Sequence, residues 1–271
     1  MLARPITNDI ANIDRFQIPY RIYGQGAEHL VCINGIQQSM FIWFDFVQHF
    51  SHKYKILIFD FPHQGKGRVT RGPTEVSLDE QVEILNELLK FTGFQDGLTL
   101  CSASWGGVVA ASFSIRYPDK TKRLILGGIG TKPNQKMIET IAHGVTLPKE
   151  NRKEIAETLI KSFGQDLPLI VKAAIIRQFE RMEPDALESF YKFGSLILIS
   201  EPLEKMVDLK SIACKTILLR GEKDTLIDAQ DLVLLAAEIP QAEIVTIKGA
   251  GHFLHLENDK LMKTYEEILC S

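Results

Sequence analysis

A mostly parallel α/β sheet flanked by helices is the fold this chain predicts, and three observations predict it. Short, continuous apolar runs rich in β-branched residues recur along the 271 residues, as strands covered on both faces require. Segments with helical apolar spacing separate them, the alternation that builds crossover connections. One apolar run ends in "LCSASWGGVVA", residues 100–110, where two serines and a glycine pair stand between a strand-like and a helix-like stretch.

The predicted strands are "HLVCING" (29–35), "YKILIFDF" (54–61), "GLTLCSA" (97–103), "RLILGGIG" (123–130), "KTILLRG" (215–221) and "AEIVTIKG" (242–249). "FQIPYRIYG" is predicted as an antiparallel edge strand, because Pro19 suits an edge better than a centre. "SLDEQVEILNELLKFTG" is predicted as a helix. Ser77 and Glu80 form a capping box, Leu78, Val82, Leu85 and Leu89 share a face, and Gly93 ends it. "WGGVVAASFSIRYPD" runs as a helix up to Pro118, and "LENDKLMKTYEEIL" closes the chain as another.

The interval 131–210 breaks the alternation. "KEIAETLIKSFG", "LIVKAAIIRQFERM" and "ALESFYKFGSLILIS" have helical spacing, and no strand stands out among them. An insertion between two strands of an open sheet lies over their C-terminal ends, where such folds bind ligands. The chain therefore divides into a core of 1–130 with 211–271 and a helical lid of 131–210.

Composition narrows the classes of function. A formal charge of −3 offers no basic face for nucleic acid. The most apolar stretch, "LPLIVKAAIIRQF", is interrupted by Lys172 and Arg177 and is shorter than the roughly 20 residues that span a bilayer. "MLARPITNDIANIDRF" lacks the apolar core of a signal peptide, so a cytoplasmic location is expected. Cys32, Cys101, Cys214 and Cys270 have no CxxC spacing, which predicts neither a metal site nor a disulfide framework; no cofactor is expected.

The two serines pose the chemical question. A strained strand-to-helix turn that exposes a nucleophile tolerates only small residues two positions before and after it. For Ser104 those positions hold Ser102 and Gly106; for Ser102 they hold Leu100 and Ser104. Ser104 is therefore the candidate nucleophile, with Ser102 replacing the first glycine of G-x-S-x-G. A serine that merely caps the following helix is the bland alternative.

A serine hydroxyl needs a base. Of seven histidines, His252 follows the last predicted strand and is bracketed by Gly249 and Gly251, on a loop free to reach over the turn. His255 competes but falls in the incoming helix. The histidine in turn needs a carboxylate. Asp224 in "LLRGEKDTLI" lies just past the preceding strand, and Glu222, its rival, falls in the Gly221 turn. The order Ser104, Asp224, His252 is that of α/β-hydrolases. The backbone N–H groups of Trp105 and of Ile36, beside the Gly35 turn, complete an expected oxyanion hole.

On these residues the whole chain resembles the α/β-hydrolase superfamily. Within it the chain is similar to the 3-hydroxyacyl transferases, the rhamnolipid-precursor synthases and the hydroxyacyl carrier-protein:CoA transacylases. "INGIQQSMF", "IFDFPHQGKGR", "SASWGG", "NQKM" (134–137), "GEKDT" and "GHFLHLEN" carry the likeness. Asn34, Asn134 and Met137 are its more particular features, whereas Leu226, Ile227 and His255 depart from the family pattern. The resemblance implies a small-molecule acyl substrate, with a CoA or acyl-carrier-protein thioester as donor. The apolar load of 131–210 implies a greasy acyl chain. Plain hydrolysis of an ester, thioester or carbon–carbon bond by the same residues is one alternative, and a non-catalytic binding module on the same fold is another.

Overall fold

The computed structural model describes residues 3–199, 201–257 and 260–270. In chain order its elements are β1 (Thr7–Ile13), β2 (Phe16–Tyr23), β3 (His29–Ile33), α1 (Phe44–Phe50), β4 (Lys55–Phe59), β5 (Arg68–Val69), α2 (Leu78–Thr92), β6 (Leu98–Ala103), α3 (Trp105–Arg116) and β7 (Thr121–Gly127). Then follow α4 (Gln135–Gly144), α5 (Arg152–Phe163), α6 (Leu169–Glu180), α7 (Pro184–Leu198), α8 (Leu203–Met206), β8 (Lys215–Gly221), α9 (Ala229–Glu238), β9 (Ala242–Ile247), α10 (Leu254–Glu257) and α11 (Lys260–Cys270).

The strands form one sheet in the order β1-β2-β4-β3-β6-β7-β8-β9, with β5 attached to β2. From β4 to β9 every pairing is parallel, and β1 and β2 run antiparallel. Each of the six predicted parallel strands is present. Most of their residues are apolar, and the central strands are covered on both faces: β6 is buried at every position, whereas β9, at the edge of the sheet, is exposed at Glu243, Ile244 and Thr246. One apolar cluster packs α2, α3 and α9 against one face, and the other packs α1 and α11 against the opposite face. The capping box is formed as predicted, with Ser77 Oγ accepting from Glu80 N–H and Glu80 Oε2 accepting from Ser77 N–H at 2.9 Å.

One expectation is corrected. Phe16–Tyr23 is antiparallel but is not the edge; β1 lies outside it. Pro19 is tolerated because the β2–β4 ladder begins only at Tyr20 opposite Phe59. Its carbonyl, which accepts from Asp60 N–H at 3.0 Å, lies on that side, so its missing donor falls where the ladder has ended. The hairpin from β1 turns through Asp14 at φ 47°, a residue type that tolerates the left-handed region. The predicted final helix is helical at Leu254–Glu257 (α10) and Lys260–Cys270 (α11), and its positions 258 and 259 lie outside the described residues.

Between β7 and β8 the described residues contain helices α4–α8 and no strand. Residues of α5, α6 and α7, including Ile155, Phe179 and Tyr191, bury one another in a small apolar cluster of their own. Among the described residues no helix is long and apolar enough to cross a membrane.

Candidate active site

Strand order reverses where β3 and β6 lie side by side, and the crevice beyond their C-terminal ends is where an open α/β sheet binds ligands. Ser104 stands there, between the last residue of β6 and the first of α3. Its backbone is at φ 48°, ψ −121°, a region that costs a non-glycine residue on the order of 1–3 kcal/mol and collects at functional sites. Hydrogen bonds hold the turn on both sides: Ser104 N–H donates to Gly127 O at 2.7 Å, and Gly107 N–H donates to Ser104 O at 2.8 Å. Gly106 explains the small-residue rule. A Cβ there would lie 2.6 Å from the carbonyl oxygens of both Ile33 and Asn34, so only glycine lets α3 approach β3 this closely. Ser102 is wholly buried, and its hydroxyl donates to Ile125 O at 3.3 Å.

His252 and Asp224 meet across two loops. His252 Nδ1 lies 3.0 Å from Asp224 Oδ2, and the carboxylate is completely shielded from solvent. Its other oxygen accepts from Leu226 N–H at 2.8 Å and Ile227 N–H at 3.2 Å. Burial pushes the Asp224 carboxyl upward, but the facing His252 and these two N–H donors outweigh it and hold the group below the ordinary carboxylate range. Gly128, at φ +63°, leaves room for the imidazole, since a Cβ there would stand 3.2 Å from His252 Cε1. Glu222, the rival acid, is exposed and accepts from Gly249 N–H at 2.9 Å. His255 is buried, its Nε2 paired with Tyr265 Oη at 2.9 Å and its ring 4.1 Å from that of Trp43. Burial lowers it to about 3, so it is a neutral packing residue behind the site.

Ser104, His252, Ile36 and Trp105 line one cavity of about 560 Å³, within the range of small-molecule sites. Its walls come from α4–α7 and the strand-end loops, with Met137, Ile175, Phe179, Phe190, Leu226 and Ile227 among them. Lys132 and Glu201 are the charged residues of the lining apart from the site histidine, and both are exposed. Of the residues that depart from the family pattern, Leu226 and Ile227 face the cavity, whereas His255 does not line it. Asn134 caps α4 by accepting from Met137 N–H at 3.0 Å and donates to Thr225 O at 2.7 Å. It thereby ties the inserted helices to the turn beside Asp224. No group of three or more His, Cys, Asp or Glu side chains among the described residues is arranged to hold a metal ion.

The loop carrying Ile36 is braced by a buried polar cluster that local sequence patterns do not reveal. Asn34 Nδ2 donates to Phe59 O at 2.8 Å and Gln64 Oε1 at 3.2 Å, while Trp43 Nε1 donates to Asn34 Oδ1 at 3.0 Å. Asp60 Oδ1 accepts from Met40 N–H at 2.6 Å, and Gln64 Nε2 donates to Gly35 O at 2.9 Å. Burial raises Asp60 to about 6, against the lowering effect of its donors Met40, Lys66 and Asn34. Gly65, at φ +48°, closes over this carboxylate; a Cβ there would fall 2.1 Å from Asp60 Oδ2. The glycines of "FDFPHQGKGR" were the available signal.

The comparisons with known proteins agree with this architecture. The family model for the alpha/beta hydrolase fold matches residues 28–167, slightly more than half of the chain, and the chain belongs to that family. It is 22% identical over 269 residues to the (R)-3-hydroxydecanoyl-ACP:CoA transacylase of Pseudomonas putida, covering 96% of this chain and 90% of the relative. It is 23% identical to the proline iminopeptidase PfmaB of Pestalotiopsis fici, covering 94% and 96% respectively. Among solved structures, a putative lipase from Acinetobacter baumannii superposes with a TM-score of 0.82 at 19% identity, covering 97% of this chain and 91% of that one.

Proposed function

We propose that this protein is a serine acyl-transfer enzyme that acts on esters or thioesters of apolar acyl chains through an acyl-serine. One observation carries the reading. Ser104, on a strained strand-to-helix turn, shares an apolar cavity with a histidine hydrogen-bonded to a buried carboxylate.

In this reading Ser104 Oγ attacks the carbonyl carbon while His252 Nε2 takes the hydroxyl proton. Asp224 fixes His252 in the tautomer with a proton on Nδ1 and offsets the charge of the imidazolium. The N–H groups of Trp105 and Ile36 receive the oxyanion of the tetrahedral intermediate. Collapse breaks the bond to the leaving thiolate or alkoxide, which takes the proton from His252. A second nucleophile, water or an acceptor thiol or hydroxyl, gives its proton to His252 as it attacks the acyl-serine, and that proton returns to Ser104 Oγ. Residues 131–210 act as the lid that shelters these steps from water.

The cavity supports an apolar chain, because side chains such as Met137, Ile175, Phe179, Phe190, Leu226 and Ile227 dominate its walls, and its charged residues Lys132 and Glu201 are exposed to solvent. Transfer of a medium-chain 3-hydroxyacyl group from a CoA or acyl-carrier thioester is supported by the likeness to the transacylase and by Asn34, Asn134 and Met137. Plain ester or thioester hydrolysis is the second reading, favoured by Leu226 and Ile227, which give the wall beside Asp224 a different surface from the family pattern. Mass spectrometry of the products from a medium-chain 3-hydroxyacyl thioester with a thiol or hydroxyl acceptor tests the choice. A new thioester or ester beside the free acid is expected of a transferase; free acid alone at every acceptor concentration would mean a hydrolase. A wild-type protein inert to every activated ester would make it a binding module instead.

A further inference from the structure

The inserted helices touch both halves of the proposed oxyanion hole. From α6, Gln178 Nε2 donates to the carbonyl oxygen of Gln37 at 2.6 Å, across 141 residues of sequence. Gln37 directly follows Ile36 and is a non-glycine residue at φ 55°, in a turn that Gln38 N–H closes onto Gly35 O at 3.3 Å, and the Gln178 bond adds a hold on its peptide from outside the loop. From α7, Phe193 packs edge-on to Trp105 with ring centroids 4.8 Å apart. The buried cluster of Asn34, Asp60 and Gln64 braces the same loop from the sheet side. The Gln178 bond is its counterpart from the lid side.

We infer that Gln178 is a positioning residue that couples the seating of the lid to the assembly of the oxyanion hole. By holding the Gln37 carbonyl, it sets the orientation of the loop that presents the Ile36 N–H, and the oxyanion is stabilised fully only when α6 is down. The inference rests on the acyl-serine reading above. It assigns Gln178 no contact with the substrate's chain.

The test compares Gln178→Met, which keeps length and loses the donor, with Gln178→Glu, which replaces the donor by an acceptor facing the carbonyl. Gln178→Lys retains a donor of similar reach. Each is assayed on p-nitrophenyl acetate and octanoate, and for affinity toward a trifluoromethyl ketone that forms an oxyanion on the serine. Misplacing one oxyanion donor rather than deleting it is expected to lower kcat about tenfold to a hundredfold. The loss should be similar on both esters, with KM moved less than threefold, ketone affinity weakened in parallel, and Gln178→Lys restoring most of the rate. Gln178→Met and Gln178→Glu with wild-type kcat and ketone affinity would overturn the inference. So would a loss confined to KM for octanoate, which would make Gln178 a wall of the chain pocket. If wild-type protein turns over these esters, either result leaves the acyl-serine reading standing. If it neither turns them over nor binds the ketone, that reading falls and the inference falls with it.

Discussion

His252 Nδ1 and Asp224 Oδ2 lie 3.0 Å apart, and the Asp224 carboxylate is shielded completely from water. Because Leu226 and Ile227 N–H groups occupy its other oxygen, the acid has one orientation available and the imidazole it meets has one tautomer.

That pairing fixes the cost of changing the acid. Asp224→Asn should keep the fold and lower kcat by about 10²–10⁴, since an amide facing Nδ1 favours the wrong tautomer. Glu222→Gln should lose little, because its retained oxygen can still accept from Gly249 N–H. Steady-state kinetics of the two variants check this, and a reversal would move the acid by one turn.

Stability should respond to pH through two carboxylates of opposite sign. Asp60 is raised from the ordinary 3.8 to about 6 when folded. The native state therefore holds an extra proton between those values, and the stabilisation present below 3.8 is lost as pH rises through about 6. At roughly 1.4 kcal/mol per pKa unit the difference amounts to at most about 3 kcal/mol. Asp224 is lowered when folded, so its contribution is present above the ordinary carboxylate range and is lost on acidification. Urea melts from pH 4 to 8 should show the wild-type advantage over Asp60→Asn shrinking as pH rises, and melts taken from about pH 5 down to about 2.5 should show the advantage over Asp224→Asn falling as the pH drops below the ordinary carboxylate value.

Gly106 should not accept a side chain. Gly106→Ala pushes a methyl into two backbone carbonyl oxygens, and overpacking against backbone costs about 1–3 kcal/mol or more. Gly144, whose Cβ would meet nothing within 4 Å, provides the control: Gly144→Ala should leave the thermal midpoint nearly unchanged while Gly106→Ala lowers it by several degrees.

What could be read from the sequence follows from how local each signal is. The Ser104 turn, the Asp224 loop and the His252 loop each announce themselves within a few residues, through small neighbours and a preceding apolar strand. The central parallel strands are equally legible, because burial on both faces leaves their apolar runs uninterrupted. β1 is not legible, because "TNDIANI" is mostly exposed and its polar residues hide a strand whose ladder is with β2. Most bonds of the Asp60 cluster join residues 20–30 positions apart, and the Gln178–Gln37 bond joins residues 141 apart. No spacing rule reaches that far, and the carboxylate and amides involved have the composition of an ordinary polar loop.

Chain length should report on the cavity. With walls almost wholly apolar, kcat/KM is expected to rise from acetyl to medium-chain esters, by at most about 0.8 kcal/mol, or roughly fourfold, for each methylene buried. A series of p-nitrophenyl esters measures it. Preference for acetyl over octanoyl would mean that the side chains of α4–α7 serve packing alone.

The acyl-enzyme itself is the most direct test. Protein mixed with a medium-chain acyl thioester, quenched in acid within seconds, digested and sequenced by tandem mass spectrometry should carry the acyl mass on Ser104. Ser102 should stay unmodified, and the Ser104→Ala variant should carry no adduct and lose roughly 10⁴ or more in turnover. An acyl group on Ser102 or on another residue, or turnover undiminished in Ser104→Ala, would contradict the account.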